Sequence, residues 1–373
     1  MAWFSDSFAS DRNRGLFERL HIDLPLLLGL LVLCGCGLAI LLSATEQSSG
    51  QIERQMLRLG LALGVMVLVA QIHPDRLRQW SAPLFILGVL MLVAVALTGE
   101  IGKGAQRWLD LGLFRFQPSE LLKLAVPMML AWFFSGAALP PSLARILVAV
   151  VITAVPVLLI ARQPDLGTAL MVTSAAIMVL FMAGLGWRLI GLLVTAAAGA
   201  APVLWYSMHD YQRQRVLTFL DPQSDPLGSG YHIIQSQIAI GSGGIHGKGW
   251  FQGTQSHLEF LPERSTDFIF AVLGEEFGLV GILVVLLVYL FIIFRGLFIA
   301  AQASNSYSRL LGGAVTMVFF TYLFVNTGMV VGLLPVVGVP LPLISYGGTS
   351  LVTIMAGFGI LMSIRTSRNS QSR

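Results

Sequence analysis

Charge is scarce in this sequence. Only 11% of its 373 residues are Asp, Glu, Lys or Arg, against about 25% in an ordinary soluble domain. Together with 55% hydrophobic residues and a mean hydropathy of +0.79, that scarcity excludes a chain that is mainly soluble. Cysteine is nearly missing too. Cys34 and Cys36 sit two residues apart in the middle of an apolar run, with no second pair, which argues against a disulfide framework or a zinc site. The sequence also lacks internal repeats, and its one biased stretch is the polar C-terminal RTSRNSQSR. The opening residues, MAWFSDSFASDRNRGLFERLHIDLP, mix acids with bases and show no cleavage-site pattern. They read as a retained cytoplasmic tail rather than a signal peptide. A net charge of +4 and a pI near 9.3 do not signal nucleic acid, because most of the basic residues fall in loops assigned to the cytoplasmic side.

Long hydrophobic runs are what the chain has in quantity. Runs of roughly twenty residues, enough to cross a hydrocarbon core, fall near 22–44, 55–72, 77–98, 119–137, 143–161, 166–185, 187–208, 268–295, 308–332 and 347–365. The expected fold is an all-α polytopic membrane protein with ten transmembrane helices. The chain divides into a cytoplasmic N-terminal tail (1–21), seven spans (22–208), a large extracytoplasmic loop (209–265), three further spans (266–366) and a cytoplasmic C-terminal tail (367–373). Arg12, Arg76, Arg145, Arg188, Arg295 and Arg365 mark the connections on the N-terminal side, whereas the opposite short connections interleave their bases with Glu46, Glu53, Glu100 and Asp110. The positive-inside rule then places both termini in the cytoplasm.

Four segments carry nearly all the unusual polar chemistry: 99–120, 162–168, 209–267 and 333–349. This topology puts all four on the outer face, so a functional site there is the economical reading. In the first, GEIGKGAQRWLDLGLFRFQPSELLKL, Pro118 suits the first turn of a helix with Gln117 before it. Glu120 and Lys123, three apart, can pair on one helical face, either as a structural ion pair or as the lining of a polar cavity. Arg107 and Trp108 can bind a phosphate and stack a sugar, or serve as an interfacial anchor. In the second, ARQPDLGTA, Asp165 is placed to cap the next helix.

The third segment contains YHIIQSQIAI, expected as a short amphipathic interfacial helix, and then GSGGIHGKGWFQG. The latter fails as a nucleotide-binding loop because Gly249 stands where a Ser or Thr must follow Lys248. It is left as either a glycine nest for a pyrophosphate or a mobile linker. The segment closes on HLEFLPERSTDFIF, where Ser265 or Thr266 can cap the coming helix and put Asp267 in its first turn. That helix, about thirty residues from 266 to 295, is some 45 Å long against a core of about 30 Å. Its first turns are therefore expected to project, with Glu275 on the same cavity wall as Asp267. In the fourth segment, GLLPVVGVPLPLISYGGTS, prolines and glycines impose irregular backbone at membrane depth, and Ser345, Tyr346, Thr349 and Ser350 offer hydroxyls.

LPERSTDFIFAVLGEEFG, NTGMVVGLLPVVGVPLPLISYGGTS, RW…FQPSELLKL and QPDLGTA together resemble the SEDS family of bacterial cell-wall glycosyltransferases over essentially the whole chain. The form PVVGVPLPLISYGGTS is closer to the elongation branch than to the division branch. One departure is Ser265, where many relatives carry histidine. The resemblance implies a polymerase joining lipid II units into glycan on the outer face of the cytoplasmic membrane. It implies that Asp267 is required for catalysis, that Glu120 and Lys123 matter in the cavity, and that a class B penicillin-binding protein and other elongation-complex membrane proteins are partners. No cofactor follows from it. Arg107, Lys123, Lys248, Arg213, Arg215 or a divalent ion (Mg or Mn) are the candidates for steadying a departing pyrophosphate. A lipid-precursor flippase and a non-catalytic scaffold are the rival readings. A carrier should hold its ionisable groups near the midplane, whereas here they gather toward one face.

Overall fold

The computed structural model describes residues 20–46, 48–98, 100–102, 105–110, 115–187, 210–225, 228–257, 260–261 and 263–371, with isolated positions between 191 and 208. The seventh expected span, 187–208, therefore lies largely outside the described residues. The other nine fall on helices: α1 (Leu24–Ala44), α2 (Ser49–Ala70), α3 (Pro74–Thr98), α4 (Pro118–Ser135), α5 (Leu143–Arg162), α6 (Leu166–Met182), α10 (Ile269–Ala301), α11 (Ser306–Val330) and α12 (Thr349–Gln371). Six of these are long and apolar enough to cross a membrane. The last helix continues to Gln371, through most of the stretch expected as a polar tail.

The fold is not purely helical. Between α3 and α4 the chain forms a three-stranded antiparallel sheet of β1 (Glu100–Gly102), β2 (Ala105–Asp110) and β3 (Arg115–Phe116), with β2 in the middle. QRWLD shows no polar–apolar alternation at the strand period, so this sheet has no local signature in the sequence. The loop expected over 209–265 is largely structured as well. It holds α7 (Asp210–Leu220), a 3-10 turn (Pro222–Ser224), α8 (Ser229–Gly243) and α9 (Thr254–His257). YHIIQSQIAI is helical, and its Ile233, Ser236 and Ala239 are buried.

The largest departure concerns α10. Gly278 adopts φ 62° and ψ −161° inside it, a region open essentially to glycine alone, so the helix is two pieces meeting at a kink. A kink frees carbonyls before it and amides after it, and these must be satisfied inside a membrane protein. The glycine stretch after α8 does this. The amides of Lys248 and Gly249 donate to the carbonyls of Glu275 and Glu276, both at 3.0 Å, while the amides of Leu279 and Val280 donate to Gly244 and Ile245 at 3.0 and 3.1 Å. A side chain at Gly247 would run into the Glu276 carbonyl at 2.1 Å, which is why glycine is needed there. The segment left open as nest or linker is neither. It is wedged into the broken helix.

α11 is the central helix, buried over most of its length, with Tyr322 and Asn326 facing inward. At one end of the bundle Asp23 caps α1, accepting from the Leu26 amide at 3.0 Å, and takes both Nε and Nη2 of Arg295 at 3.0 and 2.7 Å. At the other end the polar segments meet.

Candidate active site

Asp267 lies in a turn two residues ahead of α10, not in its first turn. The turn is closed by the amides of Thr266 and Phe268 on the Glu263 carbonyl, at 3.0 and 3.3 Å. Thr266 Oγ1 donates to the Glu263 carboxylate at 2.8 Å, and the N-cap position of α10 is Phe268, which makes no side-chain cap bond.

What fixes this turn is the irregular segment between α11 and α12. Tyr346 donates its amide to the Ser265 carbonyl at 2.8 Å, and Ser345 Oγ donates to the Thr266 carbonyl at 2.5 Å while accepting the Leu341 amide at 2.8 Å. Asn326 of α11 donates from Nδ2 to the carbonyls of Asp267 and Val339, both at 2.8 Å. Gly338, at φ +72°, lies against the acid: a β-carbon there would stand 3.5 Å from Asp267 Oδ2. Ser345 is thus engaged with backbone on both sides and positions the turn.

Glu120 and Lys123 pair at 2.7 Å with both side chains buried. Lys123 Nζ sits 5.3 Å from the Tyr322 ring centroid, and Glu120 Oε2 is buried without a hydrogen-bond partner among the described residues. A small cavity beside them is lined by Lys123, Val318, Tyr322, Thr353 and Phe358. Tyr322 and Asn326 are one turn apart on α11, so this helix links the buried pair to the Asp267 turn. Asp165 caps α6 by accepting the Thr168 amide at 3.2 Å, and its other oxygen takes Gln117 Nε2 at 2.9 Å. Next to it a side chain at Gly167 would meet the Val337 carbonyl at 2.7 Å, so α6 abuts the same irregular segment that holds Asp267.

Other expected residues are engaged elsewhere. Arg107 donates to the carbonyls of Gln163, at 3.2 Å, and Pro164. Trp108 follows it on β2 and so points to the opposite face of the strand; the two do not form one phosphate-and-sugar subsite. Glu275 is engaged at the kink of α10. Fully buried, it accepts from Lys248 Nζ at 2.7 Å, the Gln255 amide at 2.9 Å and Thr254 Oγ1 at 3.1 Å. Arg213 donates to the carbonyls of Trp205 and Tyr206 at 2.9 and 2.7 Å. Arg215, two residues on in α7, is half-buried and projects from another side of that helix.

Three contributors escape sequence reading. Asn326 was visible as a lone amide in an apolar span. Gln55 of α2, buried, reaches the Ser345 carbonyl and the Gly347 amide, both at 3.4 Å. His232 of α8 stacks on Phe268 at 5.6 Å with its Nδ1 buried and lacking a hydrogen bond among the described residues. Burial holds its imidazole below the ordinary histidine value, while the Glu263 and Asp225 carboxylates pull the other way.

Comparison with known proteins decides the family. Residues 18–370 match the cell cycle protein family of FtsW, RodA and SpoVE. The chain belongs to this family. It is 54% identical over 362 residues to the peptidoglycan glycosyltransferase MrdB of Escherichia coli K12, covering 97% of this chain and 98% of that one. A chain from a peptidoglycan synthase complex that coordinates polymerization and crosslinking has the same fold, with a TM-score of 0.80 and 32% identity over 93% of this chain and 98% of that one. The rod shape determining protein RodA of Thermus thermophilus matches with a TM-score of 0.69 and 29% identity, covering 93% and 97%. The elongation-type resemblance read from PVVGVPLPLISYGGTS agrees with the MrdB and RodA matches.

Proposed function

We propose that this family member is a peptidoglycan glycosyltransferase of the elongation type, polymerising lipid II at the outer face of the cytoplasmic membrane with Asp267 as general base. In the full arrangement ten spans leave both termini in the cytoplasm, and a class B penicillin-binding protein supplies the crosslinking activity. The activity class rests on the 54% identity to MrdB across nearly the whole of both chains. The observation that carries the role of Asp267 is the turn that holds it. Its backbone is fastened from α11 and from the segment before α12, and its carboxylate faces Gly338.

The chemistry fits one carboxylate. The acceptor hydroxyl gives its proton to Asp267 as its oxygen attacks the anomeric carbon of the donor. The bond to the lipid diphosphate breaks, the diphosphate leaves as an anion, and the α linkage becomes β(1→4). No acid need protonate that leaving group, unlike glycoside hydrolysis, where two carboxylates are required. The Glu120–Lys123 pair, on the same side of α11, belongs to the cavity wall, and Arg107, Asp165, Lys248, Glu275 and Ser345 support the backbone around it. Among the described residues no three carboxylate, imidazole or thiolate groups converge on one point. A divalent ion would therefore take much of its coordination from the substrate's own phosphates, as Mg commonly does.

General-base assistance is worth about 10²–10⁴-fold. Purified protein given lipid II should make glycan detectable on a gel, and Asp267→Asn should fold and lose at least a hundredfold in rate. Wild-type rates from that variant would refute the assignment. Translocation of lipid II in vesicles without any polymer would favour the flippase reading.

A further inference from the structure

α2 carries a charge with no neutralising acid among the described residues. Arg58 lies ten residues into this helix, about 14 Å below Ser49 at 1.5 Å per residue, and is half-buried. Three other buried or half-buried cations near the polar end of the bundle are matched by acids, Lys123 by Glu120 at 2.7 Å, Lys248 by Glu275 at 2.7 Å and Arg264 by Glu46 at 2.8 Å, and Arg107 and Arg213 donate to backbone carbonyls. Arg58 has no carboxylate partner among the described residues, and Glu53 of the same helix sits about 140° around it. Arg54, one turn away at i−4, adds a second positive charge on nearly the same face, an arrangement that disfavours the helix. An uncompensated cation at this depth marks the path of an anion.

The geometry leaves the guanidinium ready for one. It lies 4.6 Å from the Tyr346 ring centroid, alongside Gly348. Held against the ring, its N–H donors meet no acceptor among the described residues. On the outside of the same helix Leu57 is 75% exposed and Leu61 is 59% exposed. Leu61 follows Arg58 by three residues, so an anion at Arg58 with a hydrocarbon tail would lay that tail along exposed leucine.

We infer that Arg58 and Tyr346 form a seat for a membrane-anchored phosphate, and that its occupant is the diphosphate of a polyprenyl-linked substrate rather than a phospholipid headgroup. The substrate is favoured by where the seat is fastened. Tyr346 is bonded through its amide to Ser265, two residues from Asp267, and Gln55, one turn before Arg58, holds the same 345–347 backbone. A headgroup site would need no such connection to the catalytic turn. This inference rests on the glycosyltransferase reading but is tested apart from it.

Binding is measured with full-length protein in detergent, carrying Asp267→Asn so that no turnover is required. The probes are undecaprenyl diphosphate, undecaprenol and phosphatidylglycerol. Arg58→Gln should weaken undecaprenyl diphosphate by about tenfold, the scale of a lost charge-assisted contact, and leave undecaprenol unchanged. Arg58→Lys, which keeps the charge, should recover part of that loss and guards against a misfolded glutamine variant. In the active protein Arg58→Gln should raise KM for lipid II with little change in kcat. Unchanged diphosphate affinity in Arg58→Gln overturns the seat, and an equal loss for phosphatidylglycerol overturns the substrate assignment. Diphosphate binding that depends on Arg58 in a protein making no glycan would sink the proposed function while leaving the seat intact.

Discussion

Asp23 and Asp267 stand in similar stretches, HIDLPLLLG and STDFIFAVLG, each an acid just ahead of an apolar helix. In the folded chain they do opposite things. Asp23 caps its helix and is gripped by Arg295, with Arg365 at 3.6 Å, so its carboxylate ties together α1, α10 and α12. Asp267 stands in a turn two residues ahead of its helix. What α11 fastens is its backbone carbonyl, through Asn326, and the carboxylate lies across Gly338. One acid is placed so that its charge holds helices together; for the other, the helices and loops hold the acid in place. The carboxylate of Asp23 is the fastening, whereas the main chain of Asp267 is what is fastened.

That contrast can be broken at either acid. The largest effect is expected at Gly338, whose φ of +72° strains any branched residue and whose added β-carbon would stand 3.5 Å from Asp267 Oδ2. Gly338→Val should lower polymerisation by more than about a hundredfold, within the general-base range, while the protein still elutes as a folded species; near-normal activity would mean that the carboxylate does not depend on this glycine. A smaller loss is expected from Asn326→Leu, which strips two buried carbonyls of their donor at about 1–3 kcal/mol each. Steady-state assays should show roughly a tenfold fall in kcat, about 1.4 kcal/mol, with KM little altered. Asp23→Asn should do least to activity, keeping it within about twofold. Because the Asp23 side chain is 4% exposed and that of Arg295 21% exposed, breaking their pair should still lower the melting temperature by a few degrees, at roughly 2 kcal/mol. A melting temperature that stays put would show that the Asp23 pair is not what holds that end of the bundle.

The spans were legible because hydropathy is a local property: 143–161 and 308–332 were expected, and Leu143–Arg162 and Ser306–Val330 are the helices found. Capping was legible at Asp165 for the same reason, since cap and amide lie three residues apart. The break in α10 was not, because its evidence is divided between two distant segments. LGEEFGLVG reads as uninterrupted helix and GSGGIHGKG as a nest or a linker until the backbone groups of one meet those of the other. Arg107 and Trp108 misled for a related reason: neighbours in sequence become opposite faces once the segment is a strand. Asp267 itself was found as a charge at the mouth of a span, but nothing local announced that Asn326, Ser345 and Tyr346 would fix its turn.

The pairing of 244–249 with 275–280 also turns an apparent spacer into a splint. Its length is set by four hydrogen bonds that replace those of a broken helix, so it lacks the tolerance to insertion that exposed loop tips enjoy. Epitopes, fluorophores or cleavage sites meant to report on this protein in cells belong outside that stretch, however pliable its glycines make it look.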